Sequence, residues 1–321
     1  MKTVRLALAF IYAFLAIELL AQDHYPSKSI KLIVGFSPGG AADGVGRALA
    51  ESLTQRLGQP VVVENRAGAN GNIAAEAVAK SLGDGYTLYF PSIGHAVNPA
   101  LYKGLNFDPL LDFTPIGGVL SAPNMLVVPS SSAFKNLSEL IAYAKVNPSK
   151  LTFASSGNGT SVHLSAELFA RMANISLLHI PYKGTGSAMP DLISGQVDMS
   201  FPNIPSALVQ VKAGNLRALG VTSALRSSAA PQIPTLAESG VAGYEMSTWY
   251  GLLAPAKLPS FIRTRLNSEL QLILSNPQFK TKLQSQGADP MPGSAEQFEG
   301  FIKSEMERWK KIIEQAKISI D

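Results

Sequence analysis

Ile30-Lys31-Leu32-Ile33-Val34-Gly35-Phe36-Ser37-Pro38-Gly39-Gly40 runs from a β-rich apolar segment straight into a proline-glycine break, and Asp43 through Leu57 then carries helical spacing. Strand, glycine loop and helix in that order are the opening of an α/β unit. Pro60-Val61-Val62-Val63-Glu64-Asn65 reads as the next strand, Ile73 to Ser81 as a helix, and Tyr86-Thr87-Leu88-Tyr89-Phe90 as a third strand after the turn Gly83-Asp84-Gly85. Strands separated by helices predict parallel pairing with right-handed crossovers.

The order returns about 120 residues later. Lys150-Leu151-Thr152-Phe153-Ala154 is a strand, Ser155-Ser156-Gly157-Asn158-Gly159-Thr160 a glycine-rich loop, and Val162 through Met172 a helix. Ile175 to Ile180 and Val197 to Phe201 are further strands, with Pro181-Tyr182-Lys183-Gly184-Thr185-Gly186 as a loop and Met189 to Ser194 as a helix between them. The third strands of the two halves end alike, in Phe90-Pro91-Ser92-Ile93 and Phe201-Pro202-Asn203-Ile204. Two α/β lobes follow. The runs Asp112 to Leu120 with Met125 to Val128, and Tyr244 to Ala254, read as strands crossing between them. The tail is helical over Phe261 to Ser275, Pro277 to Gln286 and Ala295 to Lys317, and a terminal helix packing back on the first lobe would close a discontinuous domain. The expected division is 22–122 with 249–321 in one lobe and 123–248 in the other.

Composition narrows the function. Among 321 residues, 27 Lys and Arg face 23 Asp and Glu, only 16% are charged, 46% are hydrophobic, and there is no cysteine. Charge this sparse, with no run of five like charges, argues against a nucleic-acid partner. The missing cysteines exclude disulfides, thiolate catalysis and Cys-ligated metals. Lys2 and Arg5 ahead of the apolar run Leu6 to Ile17, with Ala21 at the expected cut, describe a signal peptide over residues 1–21 and an exported protein. The export route and the absent cysteine together imply no disulfide and no lipid anchor.

Catalytic machinery is hard to assemble. The elbow G-x-S-x-G is absent, since Phe90-Pro91-Ser92-Ile93-Gly94 lacks its first glycine. His95 reads better as a loop residue bonded to backbone than as a triad member. His24, His95, His163 and His179 are too scattered to hold a metal, and neither phosphate-loop nor dinucleotide fingerprints occur. No metal and no cofactor are expected. Binding is better served, because each lobe aims a helix start at the loop before it, and such starts receive anions. Gly39 and Gly40 allow close backbone approach, while Ser155, Ser156 and Thr160 add hydroxyl donors.

The sequence resembles the solute receptors of tripartite tricarboxylate transporters, also called the Bug family of periplasmic binding proteins. Tyr25 through Gly40 with Asp43 and Arg47 carry the likeness, as do Val63 to Gly71, Gly83 to Leu88, Gly157 to Phe169, His179 to Gly184, Gly195 to Asp198, Gly214 to Thr222 and Pro234 to Gly240. The resemblance implies a two-lobed α/β clamshell, not an enzyme, that takes a small carboxylate in its cleft. It further implies delivery to a permease of one large and one small membrane subunit, and a monomeric receptor. A sensor of the same fold that signals to a kinase is the alternative. By position, the likeness points to Phe36, Ser37, Pro38, Gly39, Gly40 and Asp43 on one side, and to Ser155, Gly157, Gly159, Thr160 and His163 on the other. Asn70, Ser92, Tyr182, Lys183 and Asn203 would line the cleft. His163, one turn into its helix, suits a cap contact and a ligand contact equally; Lys183 suits steering and simple solvation equally. Many relatives carry an acid where this chain has Pro202, which favours a ligand without an amine.

Overall fold

The computed structural model describes residues 25–39, 41–285, 287–316 and 318; the expected signal peptide and His24 lie outside the described residues. Eleven described strands form two sheets. The first has the order β11(Asp289–Pro290), β4(Phe113–Pro123), β10(Ser247–Pro255), β3(Thr87–Phe90), β1(Ile30–Val34), β2(Val61–Asn65). The second runs β7(Leu178–Pro181), β6(Thr152–Ser155), β8(Met199–Ser200), β5(Met125–Pro129), β9(Leu216–Val221). In each, the first strand of the repeat lies between the next two and is parallel to both: β1 between β2 and β3, β6 between β7 and β8. An antiparallel strand follows in each sheet, β10 beside β3 and β5 beside β8. The repeat read in the sequence is therefore a repeat of topology.

The apolar residues of β1 fall on both its faces because helices cover both. Ile30, Leu32, Ile33 and Val34 are all buried, Leu32 and Val34 against α1(Ala41–Leu57) and its neighbours, Ile33 in the cluster with α2(Asn72–Ala79). The second lobe is built likewise with α5(Ser161–Met172), α6(Thr185–Ser194) and α7(Ile204–Lys212).

Two chain crossings join the lobes. Asn124 alone separates β4 of the first sheet from β5 of the second. The return comes through Met246, whose N–H donates to the Thr222 carbonyl at 2.8 Å, directly before Ser247 registers against Pro123. One apolar cluster ties the lobes together, running from Tyr89 and Phe113 through Phe298 and Trp309 to Phe153, Phe169 and Phe201. Phe298 and Trp309 belong to the terminal helix α10(Ala295–Ala316), which packs on β4 and on α3(Gly94–Leu101). The helices α8(Ser260–Ser275) and α9(Pro277–Ser285) cover the other side of the first sheet.

Three helices go beyond the sequence reading: α3, α4(Leu137–Val146) and α7. His95 sits in α3 rather than in a loop, although its Nε2–H donates to the Pro109 carbonyl at 2.9 Å as a backbone-bonded histidine should. Burial pushes its imidazole down to about 4, so it stays neutral.

Candidate functional site

A cleft of about 550 Å³ opens between the lobes, within the range of small-molecule sites. On the first lobe its wall is the turn after β1, Phe36 to Gly39, with Ala42 of α1, Asn70, and Ser92 with Ile93 after β3. Thr248 and Tyr250 of the crossing strand β10 complete that side. On the second lobe the wall is Ser156, Thr160 and Ser161 at the start of α5, Lys183 to Gly186 at the start of α6, and Asn203 with Ser206 at the start of α7. Helix beginnings from both lobes thus meet one cavity. Gly184 and Asn203, which precede α6 and α7, supply no side-chain cap, so the first N–H groups of those helices keep their donor capacity.

Among the expected residues, the structure brings Phe36, Ser37, Pro38, Gly39, Asn70, Ser92, Thr160, Lys183 and Asn203 to this wall. Gly40 lies outside the described residues. The others stand behind the wall and hold it. Asp43 is buried and accepts hydrogen bonds from the Gly39 N–H at 2.9 Å, Arg47 Nε at 3.0 Å and Asn65 Nδ2 at 2.9 Å, so its carboxylate is engaged in holding the turn. Ser155 is fully buried and shares a 2.6 Å hydrogen bond with His179 Nε2; its neighbour Ser156 faces the cleft instead, because adjacent residues at a strand end point oppositely.

His163 makes a cap contact. Its Nδ1 accepts the Gly159 N–H at 3.1 Å, its ring stacks on His179 at 4.2 Å, and it is buried. Burial first, and then His163 beside it, holds the His179 imidazole down to about 4. Gly157 and Gly159 take φ of 126° and 74°, which shapes the loop without placing either on the wall. Tyr182 donates to Asp191 Oδ2 at 2.6 Å, away from the cavity, and that bond raises its hydroxyl to about 12.

A buried asparagine cluster fixes the first lobe's contribution. Asn98 donates to the Asn70 carbonyl at 3.0 Å and to Asn72 Oδ1 at 2.7 Å, while its own Oδ1 accepts from Asn70 Nδ2 at 2.9 Å. The same Asn70 amide donates across the lobes to the Gly159 carbonyl at 3.0 Å. Asn70 holds a left-handed φ of 51°, which asparagine tolerates better than most residues. Asn98→Leu is expected to leave two of these groups unpaired and to cost about 3 kcal/mol in urea unfolding; a loss below about 1 kcal/mol would contradict the role given to the cluster.

Residues 45–318 match the family described as the tripartite tricarboxylate transporter family receptor. The chain belongs to that family. Among solved structures, Rpa4515 of R. palustris with adipate superposes with a TM-score of 0.85 at 36% identity, covering 92% of this chain and 99% of that one. The periplasmic binding protein BugD gives 0.82 at 34%, covering 92% and 99%. MatC (Rpa3494) from Rhodopseudomonas palustris with bound malate gives 0.80 at 30%, covering 90% and 100%. The receptor is therefore a two-lobed solute-binding protein and not an enzyme. None of its described helices is long and apolar enough to cross a membrane.

The wall residues that the sequence reading missed have a common origin. Ser161 and Ser206 occupy the first turns of helices, and Thr248 and Tyr250 alternate along a strand read only as a connection. Walking one turn into each helix that follows a strand would have found the serines.

Proposed function

We propose that this receptor binds a small mono- or dicarboxylic acid without an amine, aliphatic or aromatic, in the interlobe cleft and delivers it to a permease of one large and one small membrane subunit. The observation that carries the reading is the charge of the wall. Among the described wall residues Lys183 is the one charged side chain, helix starts from both lobes face the cavity, and neither Asp nor Glu lines it. Such a wall attracts carboxylates and offers an ammonium group no counter-charge. The adipate and malate in the two relatives support the class. Export through a signal peptide cut after Ala21, a monomeric receptor, and lobes of 22–122 with 249–321 against 123–248 belong to the same proposal. The lobes would close about the two crossings near Asn124 and Met246.

Calorimetric titration of the purified protein tests it. Adipate, malate, succinate or benzoate is expected to bind, with aspartate and glutamate much weaker; tight aspartate or glutamate binding with no response to the plain acids would overturn it. Lys183→Met is expected to weaken the best acid by about tenfold, the scale of one charge-assisted hydrogen bond partly screened at an exposed position. The wild-type affinity should fall between 20 mM and 500 mM salt, and that slope should flatten in the variant. Equal affinity of the variant at low salt would remove Lys183 from the site.

A further inference from the structure

The side of the cleft at the crossing strand carries hydroxyl groups whose protons no described residue accepts. Side chains alternate along β10. Trp249 turns to the terminal helix, where it packs edge-on to Phe298 and Phe301, while Thr248 and Tyr250 turn to the cleft. Thr248 is 3% exposed, and its hydroxyl forms no hydrogen bond to another described residue. Tyr250 stacks flat on Phe90, centroids 5.3 Å apart and planes 1° from parallel, which fixes where its hydroxyl lies; that hydroxyl forms no hydrogen bond to another described residue. Ser92 is bridged to Tyr250 and accepts the Gly94 N–H at 3.3 Å, so its own O–H remains to be given. Burial pushes the Tyr250 hydroxyl up to about 12, and it is a donor at every ordinary pH.

A hydrocarbon segment laid against this patch would strip water from three hydroxyls and return nothing. A hydroxyl or carbonyl oxygen would satisfy them. Sites that hydrogen-bond a ligand oxygen reject the analogue lacking it far more strongly than apolar pockets reject a methylene.

We infer that Ser92, Thr248 and Tyr250 select a carboxylate that carries an additional hydroxyl or keto oxygen over its deoxy counterpart. The inference rests on the carboxylate reading above. It places the ligand nearer in kind to malate than to adipate.

The test is calorimetry on matched pairs: malate against succinate, lactate against propionate, and 4-hydroxybenzoate against benzoate. In the wild type, the oxygenated member of each pair that binds is expected to be tighter by tenfold or more. Tyr250→Phe, which keeps the stacked ring, and Thr248→Val, which keeps the shape, should each bring that ratio to within about threefold. Thermal melts of both variants confirm folding before titration, and either folded variant suffices. Deoxy members binding as tightly as their partners, or a ratio unchanged in both variants, would overturn this inference and leave the carboxylate reading standing. Failure of every acid to bind would overturn both.

Discussion

Replacing Asp43 with leucine is expected to weaken carboxylate binding by about 100-fold, although Asp43 touches no ligand surface. Its carboxylate clamps both ends of the turn that forms the first lobe's wall. One oxygen takes the Gly39 N–H and Arg47 Nε; the other takes Asn65 Nδ2, which also donates to the Phe36 carbonyl at 2.9 Å. Leucine removes the acceptor shared by the Gly39 N–H, Arg47 Nε and Asn65 Nδ2, and so unties the turn from α1 and β2. Phe36 to Gly39 would then leave the wall. A titration in which Asp43→Leu binds with wild-type affinity would refute the clamp.

The same clamp predicts a pH dependence. The Arg47 hydrogen bond, foremost among several, holds the Asp43 carboxyl down to about 2 from its ordinary 3.8. A carboxylate lowered by folding stabilises the native state above its unfolded pKa, and that contribution is lost as pH falls toward the folded value. Urea stability should therefore hold near pH 4 and decline toward pH 2. In Asp43→Asn the decline assigned to this group disappears, and the difference between wild type and variant should shrink as pH drops from 4 to 2.

How much of this was legible depends on how local the signal is. The turn Phe36 to Gly39 announced itself because proline and glycine chemistry is written in adjacent residues, and β1 because apolar residues fill it but for Lys31. Helix α4 is just as local: the Asn136 side chain accepts the Glu139 N–H at 2.9 Å, and Glu139 accepts the Lys135 N–H at 2.7 Å, a capping pattern visible in the sequence. Helix α3 is not, since it holds Pro99 and starts at Ile93 with no side-chain cap. Strand β11 has two residues and no periodicity to read. Motif position located the loops of the site but not which side chains within them face inward. Asp43, Ser155, His163 and Tyr182 are the polar residues a reader notices, and each is spent on a partner behind the wall. Thr248 and Tyr250 carry no such signature; only the pairing of β10 with β3 and β4 turns them to the cavity.

Trp309→Ala is expected to cost about 3–5 kcal/mol, the usual range for emptying a buried tryptophan site. Trp309 is fully buried on α10, in the one apolar cluster that spans both lobes. Its Nε1 donates to Glu305 Oε2 at 3.2 Å, and Trp249 Nε1 from the crossing strand donates to the same oxygen at 3.3 Å, while Arg308 reaches Oε1 at 3.2 Å. Alanine opens a cavity and removes one donor from a buried carboxylate. Trp309→Phe separates the two effects: it keeps most of the volume and should cost about 1–2 kcal/mol for the lost hydrogen bond. Because Arg171 of the second lobe also bonds Gln315 of this helix, α10 is shared by both lobes. Urea unfolding followed by tryptophan fluorescence and by circular dichroism should therefore give one coincident transition that moves as a whole in Trp309→Ala. Two separated transitions, with only one shifted, would show that the lobes are stabilised independently and that the shared cluster does not couple them.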